Sequence, residues 1–241
     1  MAYQNTFQRY EFKYLLTEDQ KNHILHRLTD YMTQDQYGQV VIRNLYYDTD
    51  NYRLIRHSLE KPIYKEKLRI RSYKCISDNE PVFVELKKKY NHVVYKRRLT
   101  LPQADALTWL SGNTVRYPTC QIGSEIEYFR DYYKTLRPVV YLSYNRQAWC
   151  CPDGNDFRVT FDHDILCRQE ELSLSSEPYG TSLLPPGMTL MEIKTSGGIP
   201  LWMTELLTKK HIYKTSFSKY GTAYKTIIFP DIYHKGVIYH A

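Results

Sequence analysis

The chain reads as an α+β protein whose mainly antiparallel sheet closes, or nearly closes, into an antiparallel β-barrel with a charged interior and helices at its periphery. Three observations predict this. First, charged residues fall on every second position of four strand-like stretches: Arg9-Tyr10-Glu11-Phe12-Lys13, Lys65-Glu66-Lys67-Leu68-Arg69-Ile70-Arg71, Phe83-Val84-Glu85-Leu86-Lys87 and Met191-Glu192-Ile193-Lys194. Side chains alternate faces along a strand, so each stretch lines one face with charge and the other with apolar or aromatic groups. Second, strands and helices mix irregularly, with no repeat of fixed period, as in folds that set helices against an antiparallel sheet. Third, Tyr is abundant at 24 residues, which suits strands with one wet and one dry face.

The elements follow in order. Residues 7–15 read as a strand. Thr17 caps a helix running to about Thr33, with Glu18 and Asp19 in its first turn, where the helix dipole favours them. A strand at 40–48 and a short helix at 50–58 come next. Pro62 opens a strand to Tyr73, Ser77-Asp78-Asn79-Glu80-Pro81 turns, 82–89 runs back, and Tyr90-Asn91 tips the hairpin into 92–100. Helices are expected at 102–111 and 123–135, the second from the spacing of Ile126, Phe129, Tyr133 and Leu136. Strands 138–150 and 156–164 flank the turn Cys151-Pro152-Asp153-Gly154-Asn155. Residues 173–187 read as a mobile Ser/Pro/Gly loop, 188–195 as a strand ending at Ser196-Gly197-Gly198, and 200–209 and 216–227 as helices, followed by a loose tail from Pro230. One domain over 1–241 is expected, with a core of about 7–227 and the tail 230–241 outside it.

Composition narrows the function. A net charge of +7 and a pI near 9.0 favour an anionic partner. The five Cys, at 75, 120, 150, 151 and 167, are odd in number and fit no zinc spacing; they read as reduced thiols of a cytoplasmic protein. No signal peptide and no apolar run of membrane-spanning length is visible. The eight His form no metal-ligand spacing, no P-loop occurs, and neither Ser-His-Asp nor Cys-His catalysis has support.

Lys13, Lys67, Arg69, Arg71, Lys87, Arg146, Arg158 and Lys194 all lie inside strands between apolar neighbours. Arg grips phosphate with a planar fork of donors and Lys supplies a compact charge, so together they suit a chain of phosphates. Glu11, Glu85 and Glu192 each precede an inward Lys by two residues and share its face. Two readings stand for them: ligands of a divalent metal, or counter-ions that space the bases apart. Asp162 shares the face of Arg158 and has the same two readings. Lys87-Lys88-Lys89 and Lys96-Arg97-Arg98 oppose one another across a hairpin, with the faces of Lys96 and Arg97 open, because a bulge would exchange them.

Eight segments in sequence order carry a family resemblance: Arg9 to Tyr14, Leu45 to Thr49, Lys67 to Tyr73, Val84 to Lys87, Tyr144 to Arg146, Arg158 to Asp162, Met191 to Lys194 and Phe217 to Tyr220. They resemble the catalytic domain of the vacuolar transporter chaperone (VTC) family, polyphosphate polymerases of the triphosphate tunnel metalloenzyme superfamily. The resemblance implies a tunnel of antiparallel strands walled with Lys and Arg. It implies Mn²⁺ or Mg²⁺ held by a tunnel carboxylate, foremost Glu192, with Glu11 and Glu85 as further candidates. It assigns Lys13, Arg69, Arg71, Lys87, Arg146, Arg158, Lys194 and Lys219 to the phosphates; Arg9, Lys67, Lys96 and Arg98 are additional tunnel candidates. Of these, Lys219, in Ser218-Lys219-Tyr220, is the residue promoted by the resemblance. The sequence shows neither the inositol-phosphate-sensing domain nor the membrane segment of eukaryotic members and looks more like a stand-alone bacterial member.

The implied activity is transfer of the ATP γ-phosphoryl group to a growing polyphosphate chain, with ATP, polyphosphate, and orthophosphate or pyrophosphate as partners. The rival readings are a tunnel triphosphatase and a non-catalytic polyphosphate- or nucleotide-binding module. A nucleic-acid partner is not expected, because acids alternate with the bases on the same face.

Overall fold

Thr17 opens the first helix as predicted: its hydroxyl accepts from the Gln20 amide while the Gln20 side chain accepts from the Thr17 amide, a reciprocal cap. The computed structural model describes residues 6–7, 10–91, 93–113 and 120–234; Arg9 and residues 235–241 of the expected tail lie outside them. The strands are β1 (Thr6–Phe7), β2 (Tyr10–Leu16), β3 (Thr33–Asp48), β4 (Tyr64–Ser72), β5 (Pro81–Tyr90), β6 (Val93–Pro102), β7 (Arg137–Cys150), β8 (Arg158–Arg168), β9 (Thr181–Ser182), β10 (Thr189–Thr195) and β11 (Lys214–Thr215). The helices are α1 (Glu18–Leu28), α2 (Arg53–Leu59), α3 (Gln103–Leu110), α4 (Gln121–Tyr133), α5 (Leu201–Lys209), α6 (Lys219–Ala223) and α7 (Phe229–His234).

All pairings are antiparallel, in the order β1-β6-β5-β4-β3-β7-β8-β10-β2-β11, with β9 on β8. The sheet curls on itself, and among the described residues backbone hydrogen bonds do not close it into a barrel; β1 and β11 end the path. Side chains span the gap instead: Lys87 of β5 lies 3.8 Å from Glu11 of β2.

Alternation sorts the two faces. On the convex face, Leu45, Leu68, Ile70, Val84 and Leu86 pack with Trp109 of α3 and Phe129 of α4. Farther round, Tyr14, Val159, Phe161, Met191 and Ile193 pack with Ile24 of α1 and Met203 of α5. The concave face is divided. Its apolar part, Ile42, Tyr46, Leu142, Tyr144 and Leu190, is filled by Tyr220, Ala223, Tyr224 and Ile228 from the C-terminal helix. Its charged part is the site described below.

Three differences from the sequence reading bear on the site and its surroundings. α1 ends at Leu28 because the chain from Thr33 is already paired with β7, Thr33 against Cys150; Gly38, at φ +61°, stands in the register shift between Gln34 and Gln39. The loop expected at 173–187 is pinned: Arg168 donates to the carbonyls of Glu171 and Tyr179, and its guanidinium sits 3.6 Å from the Tyr141 ring centre. Helix continues past Pro230 to His234, and a π turn at Tyr224–Ile228 immediately precedes the turn holding Pro230, which has no amide to donate.

Candidate functional site

Strand alternation puts Glu11 and Lys13 of β2, Lys65, Lys67, Arg69 and Arg71 of β4, Glu85 and Lys87 of β5, Lys96 and Arg98 of β6, Arg146 of β7, Arg158 and Asp162 of β8, and Glu192 and Lys194 of β10 on the concave face. The β5–β6 register is unbroken, with Glu85 opposite Arg98 and Lys87 opposite Lys96, and this decides the open hairpin question. Lys96 and Arg98 face inward. Arg97 faces α4, where it and Lys88 bind Glu125, so these two outward bases of the hairpin are ion-paired.

Three ionic groups organise the interior. In the first, Glu85 is 2% exposed and saturated with cations. Arg69 Nε donates to it at 2.9 Å and Arg98 Nε at 2.8 Å, Lys96 Nζ lies 2.7 Å away and Arg71 Nε 3.8 Å away. Burial opposes its ionisation, but these four cations outweigh burial and hold the carboxyl well below the usual range. Both Glu85 oxygens are thus met by cations, the environment that the counter-ion reading describes. Arg69 also donates to Tyr46 Oη at 2.8 Å; Arg71 donates to Asn44 Oδ1 at 2.9 Å and Tyr144 Oη at 3.1 Å.

In the second group, Arg146 grips the fully buried Asp162 with two hydrogen bonds of 2.6 Å, and Lys219 Nζ donates to the same carboxylate at 2.5 Å. The Lys219 ammonium also lies 4.4 Å from the Tyr144 ring centre. Ser218 caps α6 by accepting from the Gly221 amide, which brings Lys219 to the first position of the helix and aims its first turn into the interior.

In the third group, Glu192 is surrounded by Lys194 at 3.3 Å, Lys13 at 3.5 Å, Lys219 at 3.6 Å and Arg146 at 3.8 Å. Burial again opposes ionisation, and these cations hold it well below the usual range. Glu11 meets Lys13 at 3.2 Å and Lys87 at 3.8 Å; despite burial, Lys87 and Lys13 lower its carboxyl to about 2. Glu11 and Glu192 thus share one ammonium, that of Lys13, which also donates to the Phe217 carbonyl at 2.9 Å.

Lys67 differs from these cations. Its ammonium donates to Ser218 Oγ at 3.1 Å, and the charges that act on it most strongly are those of Lys87, Lys13, Lys65 and Arg69. Loss of water, then these like charges, pull its pKa down to about 7. Arg158 stands at the rim, 47% exposed and bound to Asp35 at 3.1 Å, apart from the central groups.

A family model of the VTC domain matches residues 8–228. The chain belongs to the VTC domain family. No curated protein sequence matches it significantly. Among solved structures, a candidate adenylate cyclase from Bacillus halodurans is similar at TM-score 0.56 and 17% identity, over 89% of this chain and 96% of that one. HpAC1 of Hippeastrum, a candidate adenylyl cyclase with a dominant triphosphatase activity, is similar at TM-score 0.51 and 15% identity, over 95% of this chain and 96% of that one. At such identities the likeness is one of fold: a curled antiparallel sheet with peripheral helices, the tunnel architecture.

Within this VTC domain, several groups at the site were not singled out by sequence reasoning. Tyr46, Tyr144 and Asn44 orient Arg69 and Arg71; Tyr46 and Tyr144 lie in segments that carry the resemblance, and the signal for Asn44 was the strand parity it shares with those bases. Asp48, in the Leu45 to Thr49 segment, is fully buried and accepts from the amides of Thr49, Leu54 and Ile55 and from Tyr220 Oη. It ties β3 to α2 and to the helix that carries Lys219. Among the described residues, no helix is long and apolar enough to cross a membrane, and no group of three or more His, Cys, Asp or Glu lies close enough to hold a metal by itself.

Proposed function

We propose that this domain is a polyphosphate polymerase, transferring the ATP γ-phosphoryl group to the end of a polyphosphate chain held in the cationic interior. The observation that carries the reading is an excess of inward cations over carboxylates, drawn from seven strands and one helix, with Lys67 acted on most strongly by other cations. A phosphate chain is the ligand that would relieve that repulsion.

Catalysis in this reading is positioning and charge stabilisation. Arg69 and Arg71 are held rigid by Tyr46, Asn44 and Tyr144, so their remaining donors are pre-oriented for phosphate oxygens. Lys13, Lys87, Arg146, Lys194 and Lys219 would neutralise the charge that builds between donor and acceptor, with Arg158 guiding the chain at the rim. Mg²⁺ and Mn²⁺ sites of this chemistry use one or two carboxylates and complete the shell with substrate phosphates and water. Glu11 and Glu192, on either side of the Lys13 ammonium, fit that donor set and would hold the ion, which supplies further charge neutralisation at phosphate oxygens.

One observation favours transfer over hydrolysis. The interior acids Glu11, Glu85, Asp162 and Glu192 are all ion-paired and held below the ordinary carboxylate range. Such groups are poor bases for activating water, whereas the end of a phosphate chain is already ionised and needs no base.

The test is incubation of the purified protein with ATP and Mn²⁺, with products resolved by gel and phosphorus NMR. Long polyphosphate plus ADP is the expected result. Orthophosphate alone would make it a tunnel triphosphatase, and binding without turnover would make it a binding module.

A further inference from the structure

Between α2, α4 and the convex face of β4 and β5, where Glu66 and Lys88 project, lies a cavity of about 900 Å³, walled by Arg53, Arg56 and His57 of α2, Tyr64 of β4, and Tyr128 and Tyr132 of α4. Lys65 lines it too, and Lys65 is the first residue of the inward row Lys65, Lys67, Arg69, Arg71. The cavity and the interior therefore share a wall residue. Its volume falls in the range of small-molecule sites, roughly 300–1,000 Å³.

The lining has a specific character. Tyr128 and Tyr132 leave 72% and 54% of their surface bare, and their rings lie near parallel, 6.3 Å apart and 22° from coplanar. The Arg53 guanidinium stands 5.7 Å from the Tyr132 ring centre and 5.5 Å from that of Tyr133. Two acids line this wall: Glu66 is occupied by the hydroxyls of Tyr64 and Tyr133, and Glu60 lies at the exposed edge, 3.6 Å from His57. What remains is bare aromatic faces and basic groups leading towards Lys65. Flat π faces stack a nucleobase of any identity, and the basic groups suit the phosphates that follow it.

We propose that this cavity seats the base and sugar of a nucleoside triphosphate whose phosphates enter the charged interior past Lys65 and Lys67. The inference rests on the reading above, in which ATP is the phosphoryl donor, and adds to it the place where the nucleoside is held. Because the stacking surfaces make no hydrogen-bond readout of the base, ATP and GTP should bind alike.

The experiment is calorimetric titration of the metal-free protein at low temperature with ATP and, separately, with inorganic tripolyphosphate. Wild type is compared with Tyr128→Ala, Tyr132→Ala, their double variant and Tyr132→Trp. Removing the stacking faces should weaken ATP by roughly 10-fold or more and leave tripolyphosphate affinity unchanged, which also certifies that the variant is folded. Tyr132→Trp should keep ATP affinity. Equal weakening of both ligands, or no effect on either, would overturn the nucleoside site while leaving the triphosphate reading intact. Failure of wild type to bind either ligand would overturn both.

Discussion

Replacing Glu85 by Gln separates the two roles a tunnel carboxylate can have. The substitution keeps the shape and removes the charge on which Arg69, Arg71, Lys96 and Arg98 converge. Breaking a buried ionic cluster by removing one partner costs about 3–5 kcal/mol, because the other charges stay uncompensated. Lys96 and Arg98 keep 43% and 34% of their side chains in water, so screening brings the expectation to about 3 kcal/mol. At ~2.1 cal/mol/K of unfolding entropy per residue, a chain of 241 residues should lose about 6 °C in Tm. The assay is thermal denaturation followed by circular dichroism at neutral pH in EDTA, with and without tripolyphosphate. The polyanion should restore most of the loss by occupying the vacated positive field. Because Glu85 is held below its ordinary pKa of 4.5, its stabilisation is complete above that value and is lost as pH falls towards the lowered native one. The gap between wild type and variant should therefore close on acidification. An unchanged Tm in EDTA, coupled to lost activity with Mn²⁺, would refute the counter-ion argument and make Glu85 a metal ligand.

Lys67 has a pKa near 7 in the ligand-free protein, and a bound phosphate would raise it. Triphosphate affinity should therefore fall as pH rises above 7, by at most about tenfold per pH unit, and Lys67→Met should flatten that dependence in calorimetric titrations from pH 6 to 9. Arg69→Ala and Arg71→Ala should each lower kcat/KM by roughly 100-fold or more while circular dichroism retains the native sheet; full activity in both would remove the site from this face. Arg71→Ala should also lower Tm, because it strips donors from the buried Asn44 and from Tyr144. Asp48→Asn replaces an acceptor of four hydrogen bonds with a group that donates on one side; a loss of about 1–3 kcal/mol is expected in urea titrations, and an unchanged midpoint would show that the tie between β3, α2 and the C-terminal helix is dispensable.

Much of this architecture was legible because period-2 patterning is a local property. Lys13, Arg69, Arg71, Lys87, Arg146 and Lys194 read as one-faced from their own strands, and the structure brings them onto one concave surface. What sequence could not deliver were properties of pairing and packing. The inward turn of Arg98 rather than Arg97 depends on an unbroken β5–β6 register that either parity would have allowed. The early start of β3 depends on partners more than 110 positions away, Thr33 on Cys150, which override the helical pattern around Tyr31 and Met32. Arg158 shows the limit of parity: it shares the face of Asp162 but stands at the strand's outer end, where Asp35 takes it.

The interior acids explain how so many cations can be assembled without a ligand. Like charges lining one face would repel, so the buried lysines would tend to shed their protons and the arginines, which stay charged, would oppose the strand pairing. Asp162, Glu85 and Glu192 prevent this by lying between the cations, so Arg69, Arg146 and Lys219 are paired and held in place. A polyphosphate chain offers the same cations more charge per unit length than the carboxylates do, and it can recruit the cations that have none. Lys67, half-desolvated among Lys13, Lys65 and Lys87, is the position where that exchange gains most, because there the chain replaces repulsion instead of an existing ion pair. A nucleic-acid backbone, with one charge per residue and bulky sugars between, would meet the same acids without matching their spacing. The alternation of acid and base along β2, β5 and β10 is therefore an argument for a dense, narrow polyanion as the ligand of this face.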